Sequence, residues 1–178
     1  MSLNVEIAAK YAVKHDTFVE TGTNNGDGVQ IALDAGFKNI ISIEFYPKAF
    51  ARASKRFESN ENVEILNGDS AEMLDQILLG LSPSCFWLDA HFMSGMEVKQ
   101  PLTTPCPVLK ELKAIANQAV NDHTIMVDDI RIFRQGIPLW SGINLPQIEA
   151  AVKTINPDYK ISFADSSIAK NDILIAEV

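Results

Sequence analysis

The chain is predicted to be an α/β protein, a three-layer αβα sandwich on a seven-stranded, mostly parallel sheet that ends in an antiparallel hairpin. Three observations carry that expectation. Apolar runs alternate with amphipathic stretches, as they do where the strands of a parallel sheet are joined by helices on both faces. Five of the runs end in acids: TFVETG with Glu20, NIISIEF with Glu44, VEILNGD with Asp69, CFWLDAH with Asp89, and TIMVDD with Asp128 and Asp129. Two further runs near the C-terminus, Tyr159 to Ala164 and Asp172 to Val178, have only a short turn between them, so they must pair antiparallel.

Each element has its own local signal. Leu3 to Lys14 is a short helix with Leu3, Ile7, Tyr11 and Lys14 along one side. Thr17 to Gly22 is the first strand, and Thr23-Asn24-Asn25 turns into a helix from about Gly26 to Ala35 that Gly36 ends. Asn39 to Phe45 is the second strand. Pro47 opens the next helix, where its missing N–H costs nothing, and the helix runs to about Glu58. Val63 to Gly68 is the third strand, and Asp69 or Ser70 caps a helix that ends near Gly80. Ser84 to Asp89 is the fourth strand. A loop of about fifteen residues follows, from His91 to Pro107, and a structureless loop of that length is usually functional. Val108 to Val120 is helical, Thr124 to Asp128 is the fifth strand, and a second loop spans Arg131 to Asn144. Leu145 to Ile155 is helical, and Tyr159 to Ala164 and Asp172 to Val178 form the hairpin.

Bulk properties bound the function. The 178 residues fit one domain, 1–178, large enough to bury a core. The 47% hydrophobic and 21% charged content is that of an ordinary soluble globular protein. A formal net charge of -8 argues against a binder that tracks nucleic-acid phosphates. No apolar run approaches the roughly 20 residues of a membrane span. The N-terminus lacks a signal peptide's basic and apolar regions, so a cytoplasmic protein with reduced Cys85 and Cys106 is expected. Cys106, held between prolines with no base at hand, reads as a small loop residue rather than a nucleophile. His15 and His123 flank strands and read as surface residues.

In an open parallel sheet all the carboxyl ends share one edge, and ligands bind in the crevice beside it. The acids above therefore face one cleft, suited to a cationic, hydroxyl-rich ligand and a divalent metal. Its first turn reads Gly22-x-x-x-Gly26-x-Gly28, not the G-x-G-x-x-G dinucleotide fingerprint, and Asp27 would repel a pyrophosphate. A nicotinamide-dependent oxidoreductase is thus the weaker alternative, as is a non-catalytic cofactor-binding domain. Glu44, 24 residues after Glu20, is placed to accept both hydroxyls of a ribose. Asp89, Asp128 and Asp129 would repel one another unless a cation intervenes, and magnesium takes such oxygen donors. A hydroxyl on that metal loses its proton more easily, and His91 is a base suited to take it near neutral pH. The bland alternative pairs Asp128 and Asp129 with Arg131 or Arg134. Phe92, Met93, Met96, Phe133 and Trp140 in the loops 92–107 and 131–144 suit a lid, an acceptor wall or a homo-oligomer contact equally.

This ordered set of strand-end acids resembles the class I S-adenosylmethionine-dependent methyltransferases, whose sheet is the Rossmann-like one expected here. The resemblance spans nearly the whole chain from Thr17. It implies that Glu20, Gly22 and Thr23, with Asn24 and Gly26 of the same turn, hold the methionine end of S-adenosylmethionine. It implies that Glu44 binds the ribose, and that Asp69 with Ser70 binds the adenine. Asp89, Asp128 and Asp129 resemble the metal-binding acids of metal-dependent O-methyltransferases of the catechol and macrocin types, matching the second pattern residue by residue. That implies O-methylation of a small hydroxylated acceptor such as a sugar or small metabolite, assisted by magnesium, with Asp89 and His91 at the reacting centre. Where the macrocin type carries an acid two positions beyond its first metal ligand, this chain has His91.

Overall fold

A computed structural model describes residues 3–91 and 104–178. Seven strands form one sheet in the order β3-β2-β1-β4-β5-β7-β6. They are β1 Thr17–Thr21, β2 Asn39–Glu44, β3 Val63–Asn67, β4 Cys85–Leu88, β5 Thr124–Val127, β6 Lys160–Ala164 and β7 Ile173–Glu177. The first five run parallel, while β7 lies antiparallel to β5 and to β6. The fold is the one the alternating pattern predicts. Because β1 has β2 on one side and β4 on the other, the chain reverses its direction of travel across the sheet at β1. That reversal opens a crevice above the carboxyl ends of β1 and β4.

Successive residues of a strand face opposite sides of the sheet, and the core divides accordingly. Val19, Phe86, Ile125 and Val127 pack beneath α4 (Ser70–Ile77), α5 (Val108–Ala116) and α7 (Leu145–Ile155). Phe18, Trp87 and Met126 pack on the other side, beneath α1 (Val5–Ala12), α2 (Asp27–Ala35) and the Phe57 end of α3 (Pro47–Arg56). The local signals explain the helix ends. Asn4 caps α1 by accepting from Ile7 N at 2.9 Å. Gly36 ends α2 at φ 94°, and Asn144 with Gln147 forms a capping box on α7.

Three expectations are corrected. The stretch 131–144 is not a bare loop: a short helix, α6 (Ile130–Phe133), and a 3-10 turn (Pro138–Trp140) fold it back on the sheet. Phe133 and Trp140 are therefore core residues, their rings tilted against each other with centroids 5.1 Å apart, rather than an exposed oligomer contact. Phe92, Met93 and Met96 lie outside the described residues. His15 and His123 are buried, because each imidazole satisfies a polar group where the strands begin. His15 Nε2 lies 2.8 Å from Thr124 Oγ1, and His123 Nδ1 accepts from Ser84 N at 3.1 Å. The helices expected at Leu3–Lys14 and Val108–Val120 are shorter, ending at Ala12 and Ala116.

Candidate active site

A cleft of about 750 Å³, counting its open mouth, lies over the reversal point. Its walls come from the ends of β1, β2, β3 and β4 and from Thr104, Pro105 and Pro107 ahead of α5. Gly22, Asn24, Glu44, Asp69, Ser70, Asp89 and His91 all line it, so residues scattered over the sequence do meet. Gly22 is obligatory where it stands. Its φ is +89°, and a Cβ there would come within 2.7 Å of the Asp89 carbonyl oxygen, so any side chain would push the first and fourth strand ends apart.

Glu44 sits 4% exposed at the cleft wall. Its carboxylate accepts from Asn24 N at 2.6 Å and from Tyr46 N at 2.7 Å, one bond to each oxygen. Burial raises its pKa, while these amides and Arg52 oppose the rise. Each oxygen retains a lone pair, so two ligand hydroxyls can still donate to it. The capping and ligand readings of Asp69 are compatible: it caps α4 by accepting from Ala71 N at 3.0 Å and lines the cleft as well.

Glu20, Thr23 and Gly26 are not among the cleft-lining residues. Glu20 is buried behind the turn, where a Cβ on Gly28 would fall 1.8 Å from its Oε1. Burial lifts its pKa to about 8, against a 2.5 Å hydrogen bond donated by Ser42. Thr23 Oγ1 shares a 2.6 Å hydrogen bond with the same serine hydroxyl. A Cβ on Gly26 would meet the Phe57 ring at 2.5 Å. These three residues shape the turn from behind.

At the other end of the cleft, His91 Nε2 lies 3.1 Å from Asp89 Oδ1 and 2.8 Å from Asp129 Oδ2. Neither contact has the alignment of a hydrogen bond, so the attraction is that of an ion pair. The ring rests on Trp140, with centroids 4.1 Å apart. Burial disfavours the imidazolium, but the two carboxylates outweigh it and carry the pKa of His91 to about 9. Near neutral pH His91 is thus a cation, which reverses the expectation that it serves there as a free base. Burial pushes Asp89 up; Asp129, despite burial, is held down by His91 and Arg131.

The expected metal triad is also rearranged. Asp89, His91 and Asp129 present donor atoms within 4.8 Å of one another, whereas Asp128 groups with Asp129 and Asp172. The reason is the left-handed turn at Asp129, φ 59°, which directs Asp128 Oδ1 back to the Asp129 amide at 2.7 Å. Arg131 contacts Asp129 Oδ1 at 2.6 Å and also pairs with Asp172, while Arg134 donates instead to the Asn171 carbonyl. Cys106 is buried and its thiol is pushed up to about 12 by that burial, which removes it as a nucleophile.

Solved structures supply the comparison. An O-methyltransferase from Bacillus cereus in complex with SAH superposes with a TM-score of 0.67 at 14% identity, covering 98% of this chain and 79% of that one. The O-methyltransferase TomG from Streptomyces achromogenes, involved in tomaymycin synthesis and in complex with SAM, gives 0.66 at 12% identity over 98% of this chain and 78% of its own. The chain has the class I methyltransferase fold. The N-methyltransferase NodS from Bradyrhizobium japonicum has it too, at 0.58 and 11% identity over 97% of this chain and 91% of that one. The methyltransferase fold therefore leaves the acceptor atom open, and the site must argue it. No family model and no curated relative matches the sequence.

Glu111 carries a signal in the sequence of its helix. Val108, Leu112 and Ile115 follow the i, i+4, i+7 spacing of a buried helix face, and Glu111 occupies the i+3 position of that face. It is fully buried beneath the cleft-lining Ser70.

Proposed function

We propose that the protein is an S-adenosylmethionine-dependent methyltransferase that methylates a hydroxyl oxygen of a small acceptor. One observation carries this reading. A carboxylate free to take two hydroxyls (Glu44), a glycine-tight turn (Gly22), the Asp69–Ser70 corner and the Asp89–His91 pair line a single cleft at the reversal point of a methyltransferase fold. Glu44 takes the ribose hydroxyls, Asp69 and the Ser70 backbone take the adenine edge, and Gly22 and Asn24 lie by the methionine end. Glu20, Thr23 and Gly26 support that turn from behind. The sulfonium then points toward Asp89, whose carboxylate suits its charge.

Methyl transfer is an in-line displacement. The acceptor oxygen forms a bond to the methyl carbon as the carbon–sulfur bond breaks, and the electron pair returns to sulfur. Positioning is the enzyme's main contribution, worth up to roughly 7–11 kcal/mol in well-oriented reactions. Asp89, with its raised pKa, accepts the acceptor's proton more readily than an ordinary aspartate, and the His91 imidazolium orients that carboxylate.

A divalent cation fits the donor atoms of Asp89, His91 and Asp129, with Asp128 supporting the turn. A site of one imidazole and two carboxylates suits manganese better than magnesium, which prefers oxygen alone. When bound, such an ion would lower the pKa of a coordinated acceptor hydroxyl. It would use the atoms that otherwise hold the His91 proton, so the two cations compete.

Calorimetry with S-adenosylhomocysteine tests the cofactor reading, and absence of binding at millimolar ligand overturns it. Glu44→Gln is expected to weaken binding about tenfold, since an amide oxygen accepts less strongly and its NH₂ faces the ribose hydroxyls. Titration with manganese and with magnesium, repeated on Asp129→Asn, tests the metal. A nicotinamide cofactor is disfavoured because Gly26, Asp27 and Gly28 are not among the cleft-lining residues, so the start of α2 is not presented to a pyrophosphate. Tight binding of NADH in a fluorescence titration would reverse that order.

A further inference from the structure

Glu111 is a fully buried carboxyl that the mechanism above does not use. It projects from α5 with no exposed surface. Its Oε1 accepts from Ser70 Oγ at 2.6 Å. Its Oε2 has no aligned hydrogen-bond partner among the described residues, although the Thr21 hydroxyl lies close enough to favour the charged form. Burying a carboxyl with one oxygen unmatched opposes folding, and an apolar residue of similar volume would pack the same helix face with no such cost. Local rules broken this way tend to mark function.

The placement says which function. Ser70 is the first residue of α4, directly after the Asp69 cap, and lines the cofactor half of the cleft. Thr21 ends β1 immediately before Gly22, and its carbonyl accepts from Asp89 N at 3.1 Å. One buried carboxyl thus lies between the segment that presents Asp69 and Ser70 and the segment that presents Gly22 and Asp89. Its surroundings include the charges of Asp69 and His91, one from each half of the cleft.

We infer that Glu111 is a positioning residue of the cofactor site: through Ser70 and beside Thr21 it sets the distance between the adenine corner and the turn at Gly22. The inference rests on the methyltransferase reading of the cleft. It assigns Glu111 no contact with ligand and no proton transfer.

The test is a double-mutant cycle on the affinity for S-adenosylhomocysteine, with the thermal midpoint of the unliganded protein measured on every variant. Glu111→Met keeps the volume and removes the acceptor. It is expected to weaken binding about tenfold while the midpoint stays at or above that of the wild type. Glu111→Gln, which can still accept from Ser70, is expected to restore most of the affinity. Ser70→Ala is expected to match Glu111→Met, and the double variant to be no weaker than either single, because the two residues act as one unit. Wild-type affinity in Glu111→Met overturns the inference and leaves the methyltransferase reading intact. So does a double variant whose losses simply add, or a loss of affinity that tracks a falling midpoint. A wild-type protein that fails to bind S-adenosylhomocysteine at all overturns both. If Glu111→Met does not fold, Ser70→Ala with Glu111→Gln decides the matter, since a silent Ser70→Ala also overturns the inference.

Discussion

Single residues at this site act through what they exclude as much as through what they offer. Gly22 contributes no functional group, yet its φ of +89° and the 2.7 Å that separates its missing Cβ from the Asp89 carbonyl make it the closest joint between the two halves of the cleft. Gly22→Ala is expected to cost about 1–3 kcal/mol in stability from backbone strain alone. It should weaken cofactor binding as well by displacing Asp89, and a urea titration with parallel calorimetry would show both losses. A variant that binds normally would show that the joint is not needed. Glu44 was legible from its place at the end of a β-rich run. His91 was legible as a residue beside an acid, but its charge was not: it is set by Asp89 together with Asp129, 38 positions away.

Among elements, the informative junction joins α6 to the β6–β7 turn. Asp172, with no exposed surface, accepts from Arg131 N at 2.8 Å and from Ser166 Oγ at 2.8 Å, and its carbonyl accepts from Ile130 N at 2.9 Å. Arg131 then bridges Asp172 to Asp129. The C-terminal hairpin is therefore what holds the fifth strand's acid in its left-handed turn. Asp172→Ala is expected to cost about 2–4 kcal/mol, since it leaves the Arg131 amide without its acceptor and removes one of the two carboxylates that hold the half-buried guanidinium. It should also weaken manganese binding at the Asp89–His91–Asp129 set without changing any of those three residues. Denaturant midpoints and a metal titration on the same variant check the two effects. The strands themselves were readable from alternation and turn residues. The short helix and 3-10 turn within 131–144 were not, because elements of four and three residues carry too little periodicity to separate from a loop.

Across the whole molecule, the pH dependence of stability should report the buried acids. Glu20 has an ordinary value of 4.5 in the unfolded chain and is raised to about 8 by burial in the fold. A raised acid binds its proton more tightly when folded, so its contribution to stability is fully present below 4.5 and is lost as pH rises through about 8. Glu20→Gln keeps the shape and removes the titration. Relative to the wild type, the variant is expected to gain stability steadily between pH 5 and pH 8, about the window spanned by the two values. Urea midpoints across that range, in the absence of ligand, would measure it, and a constant difference would place Glu20 in a more solvated setting than its burial shows. No helix among the described residues is long and apolar enough to cross a membrane.

The amino-acid sequence by itself determined the succession of strands and helices along the chain, the closing hairpin and the row of acids at strand ends. Those follow from local periodicity, capping and turn chemistry, which neighbouring residues decide among themselves. Tertiary structure alone decided which of those acids share the cleft and in what charge state. Glu20 went behind the turn, His91 replaced Asp128 beside Asp89 and Asp129, and Glu111 went under Ser70. Charge state depends on burial and on partners distant along the chain, and a carboxylate that ends a strand looks the same in sequence whether it meets water, a cation or another carboxylate.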